Sequence, residues 1–126
     1  MSVVSNLRTG GWLTADRASA YPRLFLAVIV VAAIYWLYSA DGYLDRTGTP
    51  IGTDFLNQYA ASVLIGRGTP ERAYELEPHA IVEYEVIGND EFGYFGWHYP
   101  PMALLVVLPF ALFSYGMALA SWMALT

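Results

Sequence analysis

The chain has 126 residues, of which 56% are hydrophobic and only 13% are charged, and its mean hydropathy is +0.40. Because a soluble domain of this size carries about a quarter charged residues, the composition argues against a soluble module. Cysteine is absent, which excludes disulfides and thiolate metal sites, and the net charge of −5 argues against a nucleic-acid partner, since its phosphates would be repelled.

Two apolar runs contain no charged residue and are long enough to cross a membrane. One covers residues 24–40 and the other covers residues 102–126. Since a transmembrane helix needs about 20 apolar residues, we predict an all-α integral membrane protein with two to three membrane helices. The alternative for the first run is a cleaved signal peptide. Its length, its aromatic residues and the lack of an A-x-A site favour a retained transmembrane helix.

The charges on the two sides of the first run are unequal. Residues 1–23 hold three arginines and one aspartate, whereas residues 41–99 hold ten acids and three arginines. Arginine beside a first span marks the cytoplasmic side. We therefore predict a cytoplasmic tail over residues 1–23, a transmembrane helix over residues 24–40 and an external, helical loop over residues 41–101.

The tail contains two local helix signals. Thr14 fits the N-cap of a short helix, with Trp12 in the headgroup layer, and a disordered tail is the alternative. Pro22 fits the first turn of the spanning helix. The sequence thus predicts either a short helix or no structure before the span.

The external loop opens with a segment rich in Gly, Asp, Thr and Pro, and an amphipathic helix is predicted after it, near residues 54–66. Its apolar residues recur at helical spacing. We predict that it lies on the membrane surface or against other helices, with its polar face outward. That polar face consists of Asp54, Asn57, Gln58 and Ser62.

Two further helical segments are predicted in the external loop. Prolines at first-turn positions and a following glycine predict a turn of helix near residues 70–75 and a helix near residues 78–87. Four glutamates of this region are expected to form a solvated face: Glu75, Glu77, Glu83 and Glu85.

The segment after these helices is dense in aromatic residues and leads into the second apolar run. The stretch "EFGYFGWHYPP" is expected to form an interfacial aromatic belt, with a sugar-stacking platform as the less favoured alternative. Residues 102–126 predict either one tilted helix or a short helix, a break near residues 109–114 and a new helix from Tyr115. Because the chain stops within that last helix, we expect a truncated part of a longer protein.

Few residues carry recognisable chemistry. His79 and His98 are 19 residues apart and lack further ligands at metal-site spacing, so structural roles are expected for both. Asp54 fits a helix N-cap. A capping carboxylate on a rigid element above a membrane is also well placed to act as a base, so both roles remain open for it.

Two stretches together resemble the N-terminal part of glycosyltransferase family 87, bacterial membrane enzymes of the GT-C fold. They read "GTDFLNQYAASVLIGRGTPERAYELEPHA" and "WHYPPMALLVVLPFALFSYGMALASW", and "WLT" at residues 12–14 adds weaker support. Gln58 departs from the pattern, because family members often carry an aromatic residue there. The matching positions, in order, are Asp54-Phe55, Gly66 to Pro70, Tyr74, His79, Tyr99-Pro100-Pro101, Pro109, Tyr115 and Trp122.

The resemblance implies an enzyme that moves a hexose or pentose from a polyprenyl-phosphate donor to a hydroxyl of a glycan or glycolipid acceptor. Asp54 would be the catalytic base, and the candidate substrate-binding residues are Tyr59, Arg67 and Tyr99. No cofactor is implied, and a divalent metal is left open. The expected partners are the donor, the acceptor and membrane lipids.

The resemblance also implies a place and a size. The site would lie on the outer face of the bacterial inner membrane, in a multi-pass protein with a cytoplasmic N-terminus. Family members are several times longer, so this chain is expected to be an N-terminal fragment that is inactive by itself. The alternative is a small non-catalytic membrane protein or assembly partner that docks through residues 41–101.

Overall fold

The computed structural model describes residues 13–126, which form helices joined by turns and loops and contain no β-strand. The predicted all-helical class is therefore confirmed for these residues. The chain divides into two units, Met1–Ser39 and Ala40–Thr126. From residue 13 onward, five α-helices and two 3-10 helices follow in order: α1 Ala15–Tyr38, α2 Thr53–Gly66, 3-10 Pro70–Tyr74, α3 Leu76–Ile87, α4 Met102–Val107, 3-10 Leu108–Leu112 and α5 Tyr115–Leu125.

The described part of the first unit contains one continuous helix, α1. The Thr14 side chain accepts a hydrogen bond from the Arg17 backbone N–H at 3.3 Å, so the predicted N-cap is confirmed. Pro22 lies inside α1, and the expectation that it begins a separate spanning helix is wrong. A proline costs the helix one hydrogen bond, and the flanking helix-forming residues continue α1 through it. The predicted position of Trp12 lies outside the described residues.

The apolar character of α1 suits a membrane. None of its residues is buried, and it is the one helix among residues 13–126 that is both long and apolar enough to cross a bilayer. Its exposed side chains include Leu24, Phe25 and Val31. The prediction of a helix of spanning character over residues 24–40 is confirmed in length and composition, although the helix ends at Tyr38.

The second apolar run is broken into separate pieces. After α4 the chain tightens into the 3-10 helix Leu108–Leu112, and Phe113 and Ser114 are extended before α5 begins. Pro109 lies in the first turn of the 3-10 helix, where its missing N–H costs no bond. The predicted break near residues 109–114 is confirmed, and the alternative of a single helix over residues 102–126 is wrong.

The second unit is built around α2, which packs against both 3-10 helices and against α3, α4 and α5. Its Phe55 ring lies edge-on to Phe110, with centroids 5.2 Å apart, and stacks on Trp122 at 5.5 Å. Of the two predicted placements for this helix, packing against other helices is therefore the one observed. The predicted polar face is wrong at Ser62, which is fully buried and donates a hydrogen bond to the Tyr59 carbonyl oxygen.

Glycines mark two helix ends in this unit. Gly68, just beyond α2, and Gly88, the C-cap of α3, both adopt the left-handed backbone conformation that favours glycine. The aromatic segment between α3 and α4 differs from the predicted interfacial belt, because Phe92 and Trp97 are buried in the core of the unit. The Phe92 ring packs against the rings of Tyr84 in α3 and of Phe95, with centroids 5.3 and 6.2 Å apart.

Candidate functional site

The start of α2 is fixed by glycine. Gly52 is the N-cap, and its carbonyl oxygen accepts hydrogen bonds from the N–H groups of Phe55 at 2.8 Å and Leu56 at 2.9 Å. Its φ of +79° favours glycine, and a Cβ there would come within 2.7 Å of Leu119. The prediction that Asp54 caps this helix is therefore wrong, because Asp54 lies in the first turn.

Asp54 presents an exposed carboxylate on a well-anchored helix. The next two residues, Phe55 and Leu56, are buried, and the Tyr115 hydroxyl of α5 donates to the Ile51 carbonyl oxygen at 2.6 Å just before the helix. Within residues 13–126 no hydrogen bond or ion pair engages the Asp54 side chain. The positive end of the helix dipole favours an acid at this position. The result is a rigidly placed, solvent-facing carboxylate.

A cavity of about 190 Å³ lies one helical turn from Asp54. Gln58 connects the two, since it lines the cavity and its side-chain amide donates to the Asp54 carbonyl oxygen at 3.3 Å. The Trp97 and Tyr99 rings form part of its wall, with centroids 4.9 Å apart. The full lining consists of Gln58, Trp97, Tyr99, Ala103, Val106, Val107 and Trp122.

Tyr99 is the predicted binding residue that the structure places at this cavity. Its ring is partly exposed, and its carbonyl oxygen accepts a hydrogen bond from the Tyr74 hydroxyl at 3.2 Å. That bond ties the turn before α4 to the 3-10 helix Pro70–Tyr74. Tyr99 therefore has a tethered backbone and a partly exposed ring.

Arg67 lies far from Asp54. The two residues stand at opposite ends of α2, about 20 Å apart at 1.5 Å per residue. The Arg67 guanidinium pairs with the Glu85 carboxylate at 2.6 Å, and both side chains are half exposed. The structure thus does not bring Arg67 to the cavity, and substrate binding by this residue stays a prediction.

Tyr59 is engaged inside the protein. Its ring is buried, and its hydroxyl donates to the Phe113 carbonyl oxygen at 2.7 Å, across the break between Leu108–Leu112 and α5. Burial, with a smaller effect from Tyr43, raises the pKa of the Tyr59 hydroxyl. The group is therefore a hydrogen-bond donor at neutral pH, and its donor function is already occupied.

We expect Tyr59→Phe to reduce stability by about 1 kcal/mol, because the Phe113 carbonyl loses its partner in a buried setting. Thermal unfolding in detergent measures the loss. If Tyr59 holds the break and does not bind substrate, the variant retains any transfer activity of the protein. A large loss of activity in a variant of nearly wild-type stability would instead assign Tyr59 to substrate binding.

A buried acid–histidine pair was not anticipated from the sequence. Glu83 and His79 are both fully buried in α3, and the prediction that Glu83 belongs to a solvated face is wrong. The other three glutamates of that predicted face are exposed. The sequence signal for this pair is the i,i+4 spacing of His79 and Glu83, which places both side chains on the same side of the helix. His98, in contrast, is exposed.

Burial sets the protonation of this pair. It raises the pKa of Glu83 to about 7, opposed by a hydrogen bond from the Phe95 N–H, and it lowers the pKa of His79, opposed by the hydrogen bond to the Asn57 carbonyl. Within residues 13–126, no group of three or more His, Asp or Glu side chains is arranged to hold a metal ion.

No protein-family model, no curated protein and no solved structure matches this chain. The resemblance to glycosyltransferase family 87 therefore rests on the sequence motifs alone.

Proposed function

We propose that this chain is part of a membrane glycosyltransferase that takes its sugar from a polyprenyl-phosphate donor, with Asp54 as the catalytic base. The observation that carries the proposal is the position of Asp54, an exposed carboxylate on a rigid helix one turn from an aromatic-lined cavity. A catalytic base must be accessible to the acceptor hydroxyl while its own backbone stays fixed. Asp54 meets both requirements.

The proposed reaction needs one carboxylate. Asp54 takes the proton of an acceptor hydroxyl as that oxygen bonds to the anomeric carbon of the donor sugar. The bond from that carbon to the phosphate oxygen breaks with inversion, and polyprenyl phosphate leaves with the electron pair. Because a phosphate leaves without being protonated, no second acid is required.

The cavity beside Asp54 has a chemistry that suits a sugar ring. Trp97, Tyr99 and Trp122 offer apolar ring faces, and the Gln58 amide offers a donor and an acceptor for hydroxyl groups. An aromatic wall with one amide can hold a sugar face and orient its polar edge. In the proposal this cavity receives part of the glycan while the reacting hydroxyl lies at Asp54.

Exposed apolar residues support a membrane setting for the second unit as well as for α1. Side chains around the broken second run face outward without cover in this unit: Met102, Leu105, Val106, Leu108, Leu112, Met117, Met123 and Leu125. Exposed apolar surface of this extent marks contact with lipid or other protein. A bilayer beside the cavity would allow a lipid-linked donor to reach Asp54, and the bacterial inner membrane is the proposed location.

The proposal is tested by following transfer directly. The complete gene product is expressed in membranes, which are supplied with a panel of radiolabelled polyprenyl-phosphate hexoses and pentoses and with membrane glycolipid acceptors. We expect label to move to the acceptor from at least one donor, with release of polyprenyl phosphate. If correctly inserted protein transfers no sugar from any of these donors, the enzyme proposal fails, and a docking role for residues 41–101 becomes the better account.

The proposed topology is tested by single cysteines, which are specific because the chain contains none. We expect Asp54→Cys to react with a membrane-impermeant maleimide on intact cells, since that position is exposed and lies external to the membrane in this proposal. Ser19→Cys, near the start of α1, is the matched control and should react only after permeabilisation. Labelling of position 19 but not position 54 on intact cells would place Asp54 in the cytosol and contradict the proposal.

A further inference from the structure

The interior of the second unit holds a polar network that the proposed chemistry does not use. His79 and Glu83 have no exposed surface, and their facing atoms, Nδ1 and Oε1, lie 3.6 Å apart. Within residues 13–126, neither of these two atoms has a hydrogen-bond partner. A buried polar atom without a partner costs about 1–3 kcal/mol in general, so the pair needs an explanation.

Hydrogen-bond partners determine which His79 nitrogen carries a proton. Nε2 lies 3.0 Å from the Asn57 backbone carbonyl oxygen, which can only accept, so Nε2 is the donor. In a neutral imidazole Nδ1 then bears a lone pair, and that lone pair faces Glu83 Oε1. Two lone pairs facing each other without water would repel. One proton between Nδ1 and Oε1 removes the repulsion and leaves the pair without net charge.

The pair also connects three segments. The other Glu83 oxygen, Oε2, accepts a hydrogen bond from the Phe95 N–H at 2.9 Å, and the Asn57 side chain donates to the Gly96 carbonyl oxygen at 3.2 Å. Residues 95 and 96 are thereby attached to α3 and α2. Trp97 follows directly and forms part of the cavity wall.

We infer that His79 and Glu83 share a single proton and act as a positioning pair, which fixes residues 95–97 against α2 and so sets the aromatic wall of the cavity. This inference holds whatever substrate enters the cavity, and it does not depend on the proposed glycosyltransferase activity. The direction of both pKa shifts agrees with it, because a protonated Glu83 and a neutral His79 together carry one proton.

Other titratable groups near the pair are tyrosines. The Tyr94 ring lies edge-on to the His79 ring, with centroids 5.7 Å apart. A negative charge on Glu83 would interact electrostatically with the hydroxyl groups of both Tyr94 and Tyr115 of α5. Tyrosine hydroxyls are uncharged below about pH 10, so neither competes for the shared proton between pH 5 and 8. On the side of α2, the facing residue is Asn57, which does not titrate.

The shared proton predicts a specific pH profile. Between about pH 5 and 6 the unfolded chain holds one proton on His79 and none on Glu83, at their ordinary pKa values. The folded pair also holds one, so its contribution to stability is flat there. As pH rises past about 6.5 the unfolded chain loses its proton first, and stability falls until the folded pair is also deprotonated.

Glu83→Gln tests this assignment in the whole protein, because the amide can donate to Nδ1 and still accept from the Phe95 N–H. Its folded state then holds no titrating proton at the pair, while the unfolded state still protonates His79. We expect the ratio of its unfolding equilibrium constant to that of the wild type to rise about tenfold as the pH falls from 6 to 5. Glu77→Gln, the same change on the exposed face of α3, should follow the wild type.

Two readouts follow the pair and the segment directly. In a His98→Gln background, nitrogen NMR of ¹⁵N-histidine protein should show His79 with a protonated Nε2 and a hydrogen-bonded Nδ1 that does not titrate between pH 5 and 6.5. Hydrogen exchange over residues 94–97 should rise at least tenfold in Glu83→Leu and stay near the wild-type value in Glu83→Gln.

Three results would overturn the inference. One is a Glu83→Gln unfolding profile parallel to that of the wild type. Another is a His79 signal that titrates near its ordinary pKa in the wild type. The third is equally fast hydrogen exchange of residues 94–97 in Glu83→Gln and Glu83→Leu, which would show that the pair does not position this segment.

Discussion

Replacing Asp54 with asparagine should lower sugar transfer by about 100- to 10,000-fold, the usual contribution of a general base. Asparagine keeps the size and the polarity of the side chain but cannot take the acceptor proton. The loss should appear in kcat, because the carboxylate acts on the reacting hydroxyl and not on the bulk of the substrate. Radiolabel transfer by membranes containing equal amounts of variant and wild type measures the effect.

Folding should be nearly unaffected by Asp54→Asn. The side chain is exposed and makes no hydrogen bond with the described part of the chain, so the change costs no more than the helix-dipole interaction, about 0.3–1 kcal/mol. Asp90→Asn is the matched control, since it makes the same change at another exposed acid of the same unit. If Asp54→Asn retains sugar transfer, Asp54 is not the catalytic base, and its role is limited to the favourable interaction of a first-turn acid with the dipole of α2.

The largest expected effect on stability is at Phe55. Its side chain is 2% exposed and packs against the rings of Phe110, Tyr115 and Trp122. Truncation to alanine removes these contacts and leaves a cavity, so Phe55→Ala should cost about 3–5 kcal/mol. Because domains are stable by about 5–15 kcal/mol, much of the variant should be unfolded at moderate temperature. Thermal or denaturant unfolding in detergent measures the change.

Two comparisons separate packing from a general intolerance of mutation. Ile81→Ala removes an aliphatic side chain that is 47% exposed, and it should cost well under half of the Phe55→Ala loss. Phe55→Leu keeps part of the buried volume and should lie between the wild type and Phe55→Ala. Equal losses at positions 55 and 81 would contradict a core centred on the start of α2.

Local patterns were enough to predict most helices of this protein. Apolar residues at helical spacing, prolines at first-turn positions and glycines after the last turn predicted α2 and α3 to within about two residues. The break between α4 and α5 followed from Pro109 and the polar residues after it. These features act within a few residues of chain, so no knowledge of distant contacts was needed.

The errors within the second unit share a cause, which is contact between distant segments. Ser62 and Glu83 were expected to face solvent because their side chains are polar. Both are instead fully buried, and Glu83 accepts a hydrogen bond from the Phe95 N–H, 12 residues along the chain. At the start of α2, Gly52 has a φ of +79°, which favours glycine, and lies against Leu119 of α5; this glycine, and not Asp54, is the cap.

The sequence by itself determined the helical class, the limits of α2 and α3 and the apolar character of α1, because each depends on residues that are neighbours in the chain. Only the tertiary structure decided which polar groups are buried and what they contact. His79, Glu83 and Asn57 became one network because α2, α3 and residues 95–96 meet in space. Burial at that meeting point removes water, and that removal changes the protonation of groups whose sequence pattern suggests only a solvated helix face.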